Sequence, residues 1–409
     1  MKKIFCILLI VVLTFSATGI SAFAGEFVPE DVSIYEKFKG QNLSINVYNW
    51  GEYISDGSDG SLDVNAEFEE LTGIKVNYTT FATNEEMYAR LKSGGVNYDV
   101  IFPSDYMINR MIEEGMVSEL DYNNIPNVKN IMPKFRGLVY DQDDKYSVPY
   151  TWGLVGIFYN TSMVDEDIDS WSVFWNEKYK GNMLMFANSR DAFGIAQKYL
   201  GYSYNPENTE ELDRSLEVLQ KQKPLLQAYV MDEIFDKMAG GEAAIAPYYN
   251  GDAKIIMEEN SDMEFVFPKE GTNLFFDAMC IPATSTNKEA AELYINFMLE
   301  PEVALATTEY IGYATPNQPA YDLLDDETKN DPIFYPSDDI IDNSEMYLNL
   351  PKEINDYMTE LWAKLLKSSN AGEDDNMLLV PFLLLGALVF VIVFTVLKRR
   401  KKRNQSNYM

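Results

Sequence analysis

The sequence predicts an α/β protein of two lobes, each a mixed, mostly parallel sheet flanked by helices, followed by one C-terminal transmembrane helix. Three observations carry this. Strand-like and helix-like stretches alternate from residue 43 to residue 368, an order that implies parallel strands joined by right-handed crossovers. The chain has 409 residues, too many for one compact core, so the strand–helix units divide between two bodies. Residues 377–397 carry no charge and run directly into "KRRKKR" at 398–403. That is the pattern of a helix crossing a bilayer with its basic flank held in the cytoplasm.

Taken in order, residues 1–24 are an address: a basic start, an apolar run over 4–13 and "AFA" at 22–24, with cleavage expected after Ala24. Residues 25–42 are a charged lead-in. Residues 45–48, "INVY", have the branched and aromatic residues of a strand. Leu62, Ala66, Phe68 and Leu71 have helical spacing, and Gly73 is a natural stop. A second strand covers 74–79. A helix over 84–92 opens at Asn84 as N-cap, with Met87, Tyr88 and Leu91 inward. A third strand covers 98–102 and ends at Pro103-Ser104, and a helix follows over 106–114.

A second block begins after "YSVPYTWGLVGIFYN" (146–160), with strands at 154–159 and 182–186 and helices at 192–200 and 210–222. "CIPATSTNKEAAELYINFMLEPEVA" (280–304) reads as a strand, a turn and an amphipathic helix. "KSSNAGEDDN" (367–376) has no hydrophobic cluster and reads as a flexible stalk. The sequence contains no internal repeat.

Charge and composition narrow the chemistry. There are 64 acidic residues against 33 basic ones, a formal net charge of −31. No acidic residue lies in 1–24 or 377–409, so the stretch between is more acidic still. Nucleic acid needs a basic face and is excluded as a partner. A negative field concentrates cations, although the same charge also serves plain solubility. Cys280 is the single cysteine beyond residue 24, so no internal disulfide is expected. Histidine is absent. This removes the commonest general base and metal ligand and rules out Ser-His-Asp and Cys-His catalysis. There is no phosphate-binding loop, no Gly-x-Ser-x-Gly and no Cys-x-x-Cys. No enzyme activity and no cofactor are expected.

"INVYNWGEYI" (45–54) sets the candidate site. A strand should end where an indole, a carboxylate and a phenol follow within four positions, and ligands of α/β folds sit at strand ends. Other aromatics and carboxylates at predicted strand ends or loops are Ser104 and Tyr106, Asp191, Tyr248, Tyr249 and Asp252, Phe275 and Asp277, and Tyr313. Each alone is ordinarily core, cap or turn. Together they match a small organic cation, since carboxylates accept charge-assisted hydrogen bonds from ammonium groups and aromatic faces attract cations and pack on methylenes.

Nine collinear stretches resemble the spermidine/putrescine-binding proteins of polyamine ABC importers, a branch of the bilobal periplasmic-binding-protein class. They are "YNWGEYI", "FEELTGIKVNY", "NEEMYARLKSG", "YDVIFPSDYMINRMIEEGM", "YSVPYTWGLVGIFYN", "WSVFWNEKYKG", "FPKEGTNLFFDAMCIP", "NKEAAELYINFML" and "IGYATPN". The resemblance spans about 43–357. It implies a type II binding-protein fold whose lobes close over ligand held in a cleft, with the chain crossing near Tyr150, Asn273 and Tyr313. The implied boundaries are 43–149 and 273–312 for lobe 1, 150–272 and 313–366 for lobe 2, then 367–376 stalk, 377–397 transmembrane helix and 398–409 cytoplasmic tail.

Carried over by position, the resemblance implies a ligand site of Trp50, Gly51, Glu52, Tyr53, Ser104, Tyr106, Asn188, Asp191, Tyr249, Asp252, Phe275, Asp277 and Tyr313. Trp50 and Tyr53 would pack on methylenes, and Glu52 would meet an ammonium group or position a neighbour that does. The family's usual Thr or Ser is Gly51 here, which removes one hydroxyl. Asn188 replaces an Asp of spermidine-type members. Tyr249 stands for the usual Trp. Phe275 and Asp252 match putrescine-type members, so the preferred amine stays open.

The implied function is an extracytoplasmic polyamine receptor, a monomer tethered by its C-terminal helix, with ABC permease subunits as partners. It would sit on the outer face of the membrane as a single-pass protein with its C-terminus in the cytoplasm. Two alternatives stand beside it: the same fold binding ferric ion through Tyr248-Tyr249, and a polyamine sensor without a transport role. "SDGSDGSLD" (55–63) resembles a calcium loop, but Ser61 occupies the position that needs Gly, so it reads as a solvated loop.

Overall fold

The computed structural model describes Pro29 and residues 31–368. The strands are β1 (Ser44–Trp50), β2 (Lys75–Phe81), β3 (Val100–Ile101), β4 (Ser147–Asn160), β5 (Met183–Phe186), β6 (Leu226–Val230), β7 (Ile245–Tyr249), β8 (Met263–Val266) and β9 (Leu274–Cys280). The chain divides into two compact units. Unit 1 takes the residues up to Leu154, Asn250–Ile255 and Leu274–Ser337; unit 2 takes Val155–Tyr249, Ile256–Asn273 and the residues from Asp338 onward.

In unit 1 the strand order is β2-β1-β3-β9-β4, with β4 contributing 147–154. β1 is parallel to β2 and β3, as the alternation of strands and helices requires, while β9 runs antiparallel to β3 and β4. Helix Val64–Thr72 starts at Asp63, whose carboxylate accepts from Ala66 N, and stops at Gly73 with φ +72°. That left-handed turn is what glycine supplies without strain.

Helix Asn84–Ser93 departs from expectation at its start. Thr83, not Asn84, is the N-cap: its hydroxyl accepts from Glu86 N at 3.1 Å, and Glu86 reaches back to Ala82 N. This frees the Asn84 amide for a tertiary role. It donates to Ser104 Oγ at 3.0 Å and accepts from Ser104 N at 3.1 Å.

The lead-in contributes to the core of unit 1. Val32–Phe38 forms a 3-10 helix. Tyr35, fully buried, donates to Glu300 Oε1 at 2.6 Å and accepts from Asn296 Nδ2 at 2.8 Å. Around "SDGSDGSLD" the carboxylates of Asp56 and Asp63 accept from the backbone N–H groups of Ser58 and Ala66.

In unit 2 the strand order is β8-β4-β7-β5-β6, with β4 contributing 155–160. β5 is parallel to β6 and β7, and β4 is antiparallel to β7 and β8. Helices Ser189–Leu200, Thr209–Gln222 and Lys352–Lys367 pack together through Phe193, Leu216, Leu219, Met358 and Leu361. Every residue of β4 is buried, which explains its continuous apolar run in place of alternation.

The expected transmembrane element is corrected. Among the described residues no helix is long and apolar enough to cross a membrane. The final described helix, Lys352–Lys367, is amphipathic: Ile354, Met358, Leu361 and Leu365 face the core and charged residues lie between them. Residues 377–397, to which the span was assigned, lie outside the described residues, as do the expected signal segment 1–24, most of the stalk and the basic tail.

Candidate functional site

Eight of the sequence-predicted residues gather into two clusters, one in each unit. In unit 1, β1 ends at Trp50, and Gly51 and Glu52 form the turn that follows. Glu52 takes a left-handed φ of +46° and is exposed. The turn sends Tyr53 inward, where it is 6 % exposed. Its backbone carbonyl accepts from Tyr150 Oη at 2.7 Å and from Asn49 Nδ2 at 3.3 Å.

The Tyr53 hydroxyl donates to Asp277 Oδ2 at 2.7 Å and lies 2.6 Å from Thr151 Oγ1. Asp277 sits mid-strand in β9, 4 % exposed, and pairs with Ser104 across an isolated antiparallel bridge. Burial, and then the neighbouring Asp277 carboxylate, push the Tyr53 phenol well above its ordinary range, with the Thr151 hydrogen bond opposing. Tyr53 is therefore a neutral donor, and the Asp277 carboxylate is its acceptor.

Aromatic rings border Tyr53 on two sides, Tyr150 at 5.7 Å and Tyr313 at 5.1 Å. Tyr313 meets both Tyr53 and Phe275 edge-on, the latter at 6.0 Å. Tyr313 also packs on Gly251, where a Cβ would fall 2.5 Å from its ring. Trp50 is anchored by its indole N–H to Phe102 O at 2.8 Å and tilts against Phe81 at 4.5 Å. Tyr106 Oη donates to Glu85 Oε1 at 2.9 Å. Asp252 lies in the first turn of helix Asn250–Glu259, beside Gly251.

In unit 2, Asn188 is the N-cap of helix Ser189–Leu200, accepting from Asp191 N at 2.8 Å. Its amide donates to Asp191 Oδ2 at 2.7 Å, and Tyr249 Oη donates to the same oxygen at 2.6 Å. Asp191 is 6 % exposed, and burial raises its pKa against the lowering effect of its donors. Burial and the adjacent Asp191 push the Tyr249 phenol well above its ordinary range. Tyr248 stacks on Phe186 at 5.5 Å and tilts against Tyr249 at 5.1 Å.

Thus Tyr53, Ser104, Phe275, Asp277 and Tyr313 come together in unit 1, and Asn188, Asp191 and Tyr249 in unit 2. Glu52 takes no part in the Tyr53–Asp277 hydrogen bonds. Sequence reasoning missed Thr151, Asn84 and Tyr347, the last donating to Asp191 Oδ1 at 3.0 Å. Thr151 lies inside a continuous strand and Tyr347 in the irregular stretch before the last helix, so neither carries a local signal. Each cluster offers the same chemistry: a buried carboxylate held by neutral tyrosine donors and bordered by aromatic faces.

Residues 64–336 match the family described as bacterial extracellular solute-binding proteins. The spermidine/putrescine-binding periplasmic protein of Escherichia coli (strain K12) is 36% identical over 307 residues, covering 74% of this chain and 86% of that protein. A solved Listeria monocytogenes chain, provisionally described as a spermidine/putrescine ABC transporter, is 40% identical with a TM-score of 0.76, covering 79% of this chain and 99% of that one. The spermidine/putrescine ABC transporter substrate-binding protein PotD of Streptococcus pneumoniae, solved with calcium and HEPES, is 38% identical with a TM-score of 0.66, covering 80% and 99%. These relatives are solute-binding proteins of ABC transporters, not enzymes.

Proposed function

Because the chain belongs to the bacterial extracellular solute-binding protein family, we propose that it captures a linear polyamine outside the cytoplasm and delivers it to an ABC permease. No bond is made or broken. The bound amine biases a conformational equilibrium that the permease reads. The observation that carries this reading is the pair of buried carboxylates, Asp277 and Asp191, each accepting hydrogen bonds from tyrosine hydroxyls. Neutral donors orient a carboxylate without cancelling its charge, so it retains its attraction for an ammonium group. Phe275, Tyr313 and Trp50 supply the apolar faces that a methylene chain needs.

The proposed contacts are Trp50, Tyr53, Ser104, Tyr106, Phe275, Asp277, Tyr313 and Asp252 in unit 1, and Asn188, Asp191 and Tyr249 in unit 2. Gly51 and Glu52 supply the turn that aims Tyr53. Ferric binding through tyrosinate is disfavoured, because the Tyr249 phenol is pushed up by burial and already donates to Asp191.

Calorimetry on the full chain, unfolded and refolded to strip carried-over ligand, tests the function. Putrescine, spermidine, spermine and Fe³⁺ are titrated at low and near-physiological salt. One-to-one binding of a polyamine that survives salt is expected. Weak binding that disappears with salt would mean that the acidic field alone attracts amines. Deleting the protein should abolish polyamine uptake; intact uptake would favour a sensor.

A further inference from the structure

We propose that Tyr347 is a positioning residue for Asp191: its hydroxyl holds Oδ1 at 3.0 Å while Tyr249 and Asn188 hold Oδ2, presenting the carboxylate to a cation in one orientation. The inference rests on the polyamine reading above and deepens it.

The three donors come from three separate pieces of unit 2. Asn188 caps a helix, Tyr249 ends β7, and Tyr347 lies in the irregular segment before the last helix. A carboxylate gripped on both oxygens by groups from independent elements cannot rotate without breaking bonds to at least one of them. None of the three donors is cationic, so the grip sets direction without itself neutralising the carboxylate; the nearby Arg190 guanidinium favours the ionised form.

Tyr347 can fill this role only if its own segment is fixed, and it is fixed on both sides. Upstream, Glu345 N donates to Thr272 O at 2.9 Å, and Asn273 Nδ2 donates to Glu345 O at 3.1 Å. The Glu345 carboxylate pairs with Lys198 and accepts from Ser203 Oγ. Downstream, Leu348 N donates to Asn205 Oδ1 at 2.8 Å, and Arg190 Nη2 donates to Leu348 O at 3.1 Å. The ring is held edge-on to Tyr204 at 5.5 Å and lies under the Arg190 guanidinium at 4.4 Å. Gly194 leaves room for it: a Cβ there would fall 2.6 Å from both the Tyr347 hydroxyl and the Tyr204 ring.

The titratable and charged groups facing Asp191 are Arg190 on its own helix, Tyr249 on β7 with Tyr248 behind it, and Tyr347 and Tyr204 from the loops. Burial raises the Asp191 pKa, and the bonds from Tyr249, Asn188 and Tyr347 lower it. Removing the Tyr347 hydroxyl therefore raises it further. A bound ammonium favours the ionised carboxylate, so capture expels a proton wherever Asp191 is still protonated in the free protein.

The test compares the full chain with Tyr347→Phe, which deletes one oxygen and keeps the ring. Asp191 is titrated by carboxyl-carbon NMR without ligand, and putrescine and spermidine affinities are measured from about pH 4 to about pH 8. Tyr347→Phe is expected to move the Asp191 midpoint upward. It should weaken polyamine binding about tenfold on the acid side, as for a lost hydrogen bond to a charged group, with the gap narrowing as pH rises. In an Asp191→Asn background, Tyr347→Phe should cost nothing further.

An unmoved Asp191 midpoint, an affinity loss equal at every pH, or an undiminished loss in the Asp191→Asn background would reduce Tyr347 to a packing residue and overturn the proposal. If the wild-type protein binds no polyamine, the functional reading fails, yet the ligand-free titration still decides whether Tyr347 sets Asp191.

Discussion

Tyr53 and Asp277 stand 224 residues apart in sequence, yet the Tyr53 hydroxyl donates to Asp277 Oδ2 at 2.7 Å. β9 brings the carboxylate into the middle of the unit 1 sheet, and the turn after β1 delivers the phenol. Asp277→Ala should weaken polyamine binding by about 2–4 kcal/mol, the cost of deleting one side of a buried charged contact. Tyr53→Phe should cost about 1–2 kcal/mol, because Asp277 loses a donor but keeps its charge. Glu52→Ala should cost at most about 1 kcal/mol, since its carboxylate is exposed and screened. Calorimetry on the three variants checks the ranking, and equal losses at Glu52 and Asp277 would contradict the assignment.

Asp191→Asn should separate binding from stability. The folded-state pKa of Asp191 is raised above its ordinary value. Its contribution to stability is thus fully present below the ordinary carboxylate range and is lost as pH rises through the folded pKa. At neutral pH the buried charge costs stability. The neutral amide should therefore stabilise the ligand-free protein by about 1–2 kcal/mol while weakening polyamine binding to a still measurable affinity. Thermal melts without ligand read this: the advantage of the variant should vanish in acid, and a lower melting temperature at neutral pH would refute it.

Glu114 gives the opposite sign. Burial raises its pKa, but bonds from Tyr88, Arg110 and Lys92 outweigh that and hold it at about 2. Its contribution is present above the ordinary Glu pKa and is lost as pH falls through about 2. The side chain is one-third exposed, so solvent screening limits the effect. Glu114→Gln should cost about 1 kcal/mol at neutral pH, and urea unfolding at neutral and acidic pH should show that difference shrinking in acid.

Gly251→Ala should lower both stability and affinity. A Cβ there would fall 2.5 Å from the Tyr313 ring, which is 2 % exposed and has little room to move. The overpacking cost of about 1–3 kcal/mol exceeds the helix-propensity gain of about 1 kcal/mol. Urea unfolding together with polyamine titration would detect the displacement of Tyr313. A stabilised variant with unchanged affinity would mean that the ring gives way freely.

The start of helix Asn84–Ser93 illustrates what a sequence leaves open. "ATNEE" offers Thr83 and Asn84 as adjacent N-cap candidates of similar intrinsic preference. The choice is made by Ser104, which engages both ends of the Asn84 amide and leaves the cap to Thr83. Tyr35 is a similar case. Its lead-in looks like a charged tail, and only a distant buried Glu300 and Asn296 give the phenol a reason to fold inward.

By itself the sequence determined the parallel β1, β2 and β3 with their helices, the chemistry excluded by absent histidine, and the collinear stretches that identify the family. These follow from local periodicity, composition and residue order, which need no partner. The tertiary structure alone decided which carboxylates are buried and what holds them. Tyr53 meets Asp277, and Tyr347 meets Asp191, across 224 and 156 residues of chain. A hydrogen bond forms between atoms about 3 Å apart in space, and no local pattern encodes which distant strand or loop will supply the other atom.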